Sequence, residues 1–157
     1  GNRVGLPMGI SKAAREMNEK TLSIFLDRNL RNEENFKKIS VLGLAFKGNP
    51  QTRDLRGSPV YPLVDYFKGH YPSSEIHGYE PAGIELVPGL DLIVHSDLNS
   101  CLIDAELIIV LTNSLAFKNI SSKVSSLSHP NCLILDFWSR EMTSNFLDSQ
   151  NYISWSG

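Results

Sequence analysis

Val41-Leu42-Gly43-Leu44-Ala45-Phe46-Lys47, continued by Asp54-Leu55-Arg56-Gly57-Ser58-Pro59, reads as an apolar strand that runs out into a polar loop and then into a helix. Ser58 suits the N-cap of that helix and Pro59 its first position, because a cap side chain accepts a free backbone N–H and proline has none to leave unpaired. The segment between strand and helix carries Lys47, Arg53 and Arg56. Cationic side chains beside the positive end of a helix suit an anion such as a phosphate or a carboxylate. Gly43 is expected inside the strand, so no G-x-G-x-x-G turn follows it and the dinucleotide fingerprint is missing.

From Ile39 onward, short apolar runs alternate with helical patterns. Strands are expected at 39–45, 75–79, 107–111 and 132–136, with a short apolar run at 91–95 and a last extended piece at 151–155. Helices are expected at 59–69 and 96–104, within 114–128 and at 140–147. Parallel strands need crossovers, and crossovers are usually helices. The alternation therefore predicts an α/β fold, a Rossmann-like three-layer domain around a mostly parallel sheet. Upstream, residues 10–30 space Ile10, Ala14, Met17, Ile24 and Phe25 at near-helical period, with Ala13, Leu22 and Leu26 alongside. This predicts a long N-terminal helix whose apolar side, with Ile10, Met17, Ile24 and Phe25, packs on a second copy or a partner. The charged connector 31–38 divides the chain into residues 1–38, the end of a linking helix, and residues 39–157, the Rossmann-like domain.

In such sheets ligands bind beyond the carboxyl ends of the strands. Four segments leave those ends: 47–58, the one beginning at Glu80, 112–116 and 137–140. Arg53 is expected as a solvated charge, and Thr112-Asn113 and Tyr79-Glu80-Pro81 as strand-end turns. Trp138 and Arg140 can form a surface cation–π pair.

The chain has 157 residues, 41% hydrophobic and 20% charged, which suits one ordinary domain with a core. Fifteen Lys and Arg against seventeen Asp and Glu leave a net charge of −2 without a basic block, which argues against nucleic-acid binding. Its apolar runs are of strand length, short of the roughly 20 residues of a membrane span, and residues 1–25 lack the order of a signal peptide. A cytoplasmic protein is expected. Cys101 and Cys132 have no C-x-x-C partner and read as reduced, buried thiols. His70, His77, His95 and His129 stand alone in loops or at strand ends, so no metal site is expected.

Gly43 to Lys47, then Asp54, Arg56 and Ser58, match the signature G-[LF]-A-F-K, a short loop, then D-x-R-x-S. Ala14-Arg15-Glu16-Met17-Asn18 is similar to A-R-E-x-N, Tyr79-Glu80-Pro81 to Y-D-P, and the run from Asp104 to Thr112 to A-D-x-(apolar)-T. In this order and near this spacing, the chain resembles the C-terminal, UDP-binding domain of the UDP-glucose/GDP-mannose dehydrogenase family. It departs in residues 48–55, which lengthen the segment between Lys47 and Arg56.

The resemblance implies a nucleotide-sugar 6-dehydrogenase of polysaccharide biosynthesis. Such an enzyme oxidises a sugar C6 alcohol to a carboxylate in two steps, reducing two NAD molecules and using a cysteine in a Gly-rich segment that nothing here matches. It implies that Phe46, Lys47 and Arg140 bind the UDP-sugar, the last across to a neighbouring subunit of a homodimer. Arg56 would reach NAD held mainly by an N-terminal NAD-binding domain, unless it merely pairs with Asp54. On this reading the chain is a C-terminal piece, inactive alone, with no catalytic residue of its own. The helix motif leans toward UDP-N-acetylhexosamines. A non-enzymatic nucleotide-binding or assembly module of Rossmann-like fold is the alternative.

Overall fold

The computed structural model describes residues 8–30, 35–138 and 151–155; within helix α1 (Met8–Asn29), side chains are described at Met17 and from Lys20 onward. Among the described residues six strands form one sheet: β1 (Lys38–Leu42), β2 (Glu75–Tyr79), β3 (Ile93–His95), β4 (Leu107–Val110), β5 (Leu133–Asp136) and β6 (Tyr152–Ser154). They lie in the order β3-β2-β1-β4-β5-β6, and every pairing is parallel. The order reverses between β1 and β4, which places the switch-point crevice beyond Leu42 and Val110.

Period-two alternation divides the strands between two cores. Ile39, Val41, Ile76, Leu107, Ile109 and Leu135 face α1 and α2 (Val60–His70), while Leu42, Ile108, Val110 and Ile134 face α3 (Leu98–Leu102) and α4 (Ser121–Leu127). With both faces covered, the strands need apolar residues on both sides, and all four residues of β4 are buried. Helix α2 meets the sheet through Val60, Leu63, Val64 and Phe67, one stripe at helical spacing.

Several expectations need correction. The first strand ends at Leu42 rather than running to residue 45, because Gly43 turns the chain with φ +91°. A side chain there would be strained, and its Cβ would lie 2.0 Å from Thr112 Oγ1. The helical region within 114–128 splits into a 3-10 turn (Leu115–Phe117) and α4, with Asn119 at φ 62° between them. The apolar residues of α1 with described side chains do not share one outward face; the side chains of Ile10, Ala13 and Ala14 lie outside the description. Leu22, Phe25, Leu26 and Leu30 enter the core beside α2, and the Phe25 ring lies 4.6 Å from that of Phe137. Met17 and Ile24 remain 71% and 52% exposed. The helix expected at 140–147 lies outside the described residues.

Candidate functional site

The segment leaving β1 is anchored on both sides of Phe46-Lys47. On one side Glu80, only 2% exposed, folds its carboxylate back from the end of β2. Its Oε2 accepts the backbone N–H groups of Leu44 (2.7 Å) and Ala45 (3.0 Å), and Oε1 accepts that of Ala82 (3.1 Å). On the other side Asn113, just beyond β4, accepts the N–H groups of Gly48 (3.1 Å) and Asn49 (3.0 Å) with Oδ1. Gly48 fits only because it has no side chain: a Cβ would stand 2.3 Å from the Ser114 backbone nitrogen.

Between these anchors Phe46 and Lys47 point out of the fold. The Phe46 ring is 52% exposed, and Lys47 is exposed without a hydrogen bond or ion pair among the described residues. Further along, the same segment closes on itself: Phe46 N–H donates to Asp54 O (2.8 Å), and Ser58 Oγ donates to Leu44 O (2.6 Å) while accepting Val60 N–H (3.1 Å). The N-cap of α2 is Pro59 (φ −68°, ψ −7°) and not the expected Ser58, whose hydroxyl takes the Val60 N–H from one residue further upstream. Phe46 lies over Gly57, where a Cβ would come within 3.8 Å of the ring. Phe46-Lys47 and Arg56-Gly57 are therefore brought to one edge.

Arg56 is paired with Asp54 here. Its Nε and Nη2 donate to the two carboxylate oxygens at 2.9 and 2.8 Å, with the arginine side chain 91% exposed. These hydrogen bonds hold the Asp54 carboxyl down to about 2 and raise the arginine. Arg53 is exposed but not merely solvated: its Nε donates to Ala82 O at 2.5 Å, tying the β1 segment to the β2 segment. Gln51, Thr52, Arg53, Pro81 and Ala82 line a shallow open concavity of about 350 Å³ at this junction. Arg140 lies outside the described residues.

Buried polar groups hold the remaining exits as well. Asp136, at the end of β5, accepts from Trp138 N–H (2.8 Å) and Tyr152 OH (2.6 Å), and the Trp138 indole donates to Leu111 O (2.9 Å). Thr112 Oγ1, packed on Gly43, has no partner among the described residues. Sequence reasoning treated Glu80 and Asn113 as turn residues; the signal that could have found them is a carboxylate and an amide placed directly after buried strands.

Cys101 and Cys132 are free and buried, and burial pushes both thiols up to about 11. The histidines are not all isolated: His77 Nδ1 lies 2.8 Å from His95 Nε2. Among the described residues no group of three or more His, Cys, Asp or Glu side chains could hold a metal ion, and no helix is long and apolar enough to cross a membrane.

The family model described as the UDP-glucose/GDP-mannose dehydrogenase family, UDP binding domain, matches residues 40–140, which takes in both anchors and the segment between them. The chain belongs to this family. In solved structures, the UDP-N-acetyl-mannosamine dehydrogenase Cap5O from S. aureus superimposes with a TM-score of 0.60 at 22% identity, over 93% of this chain and 32% of that one. The NDP-N-acetyl-D-galactosaminuronic acid dehydrogenase from Methanosarcina mazei Go1 gives 0.60 at 21% identity, over 98% and 33%. The UDP-D-ManNAc dehydrogenase from Pyrococcus horikoshii gives 0.58 at 21%, over 89% and 30%. The chain thus spans about a third of these proteins, and at such identities the likeness is one of fold. No curated protein matches it in sequence. As a UDP binding domain of this family, it presents its exposed aromatic and cationic side chains at the carboxyl edge of its sheet.

Proposed function

We propose that this chain binds the nucleotide part of a UDP-sugar for an NAD-dependent nucleotide-sugar 6-dehydrogenase that turns the sugar C6 alcohol into a carboxylate. The observation that carries the reading is the exposed Phe46-Lys47 pair in a segment whose backbone Glu80 and Asn113 anchor, on the same edge of a UDP binding domain as Arg56. Phe46 offers a flat apolar face, Lys47 a cation for a phosphate or sugar anion, and Arg140 a second cation toward a neighbouring subunit of a homodimer. The named substrates of the structural relatives support an N-acetylated hexosamine.

Arg56 suits the pyrophosphate of NAD, because its planar fork is already on the surface and exchanges one carboxylate partner for a phosphate. NAD, held mainly by an N-terminal NAD-binding domain, supplies hydride acceptance; this chain's own residues bind and orient. Residues 39–157 form the ligand-binding unit and residues 1–38 the end of the helix leading into it. The protein works in the cytoplasm.

Calorimetric titration of the chain with UDP tests the reading. Binding that Lys47→Ala weakens about tenfold to hundredfold supports it, that being the range of a charge-assisted contact. No binding, or loss of affinity unconnected with Lys47, refutes it. Mixed with NAD and a UDP-sugar, the chain alone should give no NADH absorbance.

A further inference from the structure

The geometry points to Glu80 and Asn113 as positioning residues that set where Phe46 and Lys47 stand. The inference rests on the reading that UDP is bound at those two side chains. Four consecutive structural facts lead to it. Glu80 takes the amides of residues 44 and 45, and Asn113 takes those of 48 and 49. The two residues left between these pairs, Phe46 and Lys47, are both exposed, while Leu44, Ala45 and Gly48 on either side are buried. The anchors come from strands on opposite sides of β1, namely β2 and β4. Both hold backbone rather than side chain, so they fix the path of the segment whatever the ligand does.

The Glu80 carboxylate has a second consequence. In a dinucleotide fold the amides leaving the first strand receive a phosphate. Here the protein's own buried carboxylate occupies the amides of Leu44 and Ala45, and a like charge excludes an external anion from that place. A ligand phosphate is thereby displaced outward onto side chains, where Lys47 and Arg56 are found. The missing glycine fingerprint and the internal carboxylate are two sides of one arrangement. Asn113, being neutral, anchors the far end without adding negative charge beside Lys47.

The test is a double-mutant cycle on the chain with UDP as probe. Asn113→Ala should weaken UDP by about tenfold, because a displacement of about an ångström in a contact group costs that much or more. In a background carrying both Phe46→Ala and Lys47→Ala the same change should cost less than about twofold, since both groups being positioned are gone. Equal losses in both backgrounds would overturn the assignment, as would an Asn113→Ala chain that binds UDP unchanged while Lys47→Ala weakens it; that second result leaves the functional reading standing.

A ligand-free measurement judges the positioning role separately. The Phe46 amide is bonded to Asp54 O, an acceptor that neither substitution touches. Its hydrogen exchange should speed up about tenfold or more in Asn113→Ala and in Glu80→Gln, with the β1 amides unchanged, as expected of a local opening. If the parent chain fails to bind UDP, the functional reading falls, and the exchange result alone supports or overturns the anchor. Should Glu80→Gln not fold, Asn113→Ala carries the test.

Discussion

Two regions of the sheet are held in opposite ways. At the carboxyl end every backbone N–H of residues 44, 45, 48 and 49 has a side-chain acceptor of unambiguous polarity, a carboxylate or an amide oxygen. On the outer side of the sheet, where β3 is a three-residue edge strand, two imidazoles face each other. His77 Nδ1 and His95 Nε2 lie 2.8 Å apart, so one must donate and the other accept. The remaining nitrogen of His77 is buried, with Glu75 Oε2 at 3.5 Å as a distant ion-pair partner. The comparison teaches that the Phe46-Lys47 edge is held by groups that only accept, whereas the attachment of β3 runs through a pair in which one ring must donate to the other.

The largest effect should come from breaking the fixed end. Glu80→Ala leaves three backbone N–H groups without their acceptor, two of them buried, and a loss of about 3–5 kcal/mol in a urea melt is expected from buried donors that each cost about 1–3 kcal/mol unpaired. A loss below about 1 kcal/mol would mean that water replaces the carboxylate there without cost. Gly43→Ala comes next. It adds a Cβ 2.0 Å from Thr112 Oγ1 at φ +91°, and overpacking with backbone strain should cost about 2–3 kcal/mol.

The histidine pair should respond to acid instead of to a single substitution at neutral pH. Burial, and then Lys38, lowers the His77 pKa from 6.5, with Glu75 opposing, and burial and Lys38 lower that of His95, with Asp97 opposing. Below pH 6.5 the unfolded chain takes up protons that the folded chain refuses. Stability should therefore fall as pH drops below about 6.5 and level off only where the folded pair itself protonates. Urea midpoints measured between pH 7.5 and 5 check this, and His77→Phe should flatten the slope. A slope that survives the substitution would move the acid sensitivity elsewhere. The smallest effect is expected at Arg56: with its side chain 91% exposed, Arg56→Ala should leave the melting temperature within error while weakening NAD in the complete enzyme.

Much of the sheet was legible from the sequence because burial on both faces writes itself as continuous apolar runs. Strand β2 falls at the expected 75–79, and β4 and β5 within a residue of expectation. The first strand was read too long for the same reason: Leu44 and Ala45 are fully buried although they lie past the turn at Gly43, so apolarity there marks packing and not strand. Helix α1 was legible as a helix, but the direction of Phe25 depends on Phe137 and Trp155, far away in the chain. At the site, the cationic segment announced itself through residue types. The anchors did not, since the hydrogen bond that Leu44 N–H donates to Glu80 joins residues just past the ends of two strands and exists only because β1 and β2 pair. His77 and His95 likewise meet only because Tyr79 pairs with His95 across β2 and β3.

Trp138 and Trp155 are the two tryptophans of this sequence, and both stand just past strand ends at the carboxyl side of the sheet, 45% and 44% exposed. The Trp138 indole is hydrogen-bonded to the backbone leaving β4, and Trp155 leans on Phe25 of α1. The molecule therefore carries two built-in fluorophores, one bonded to the exit of β4 and the other where the leading helix docks. Their emission reports, without any label, on the β4 exit and on the docking of the helix, which Phe137 joins through its contacts with Phe25 and Trp155.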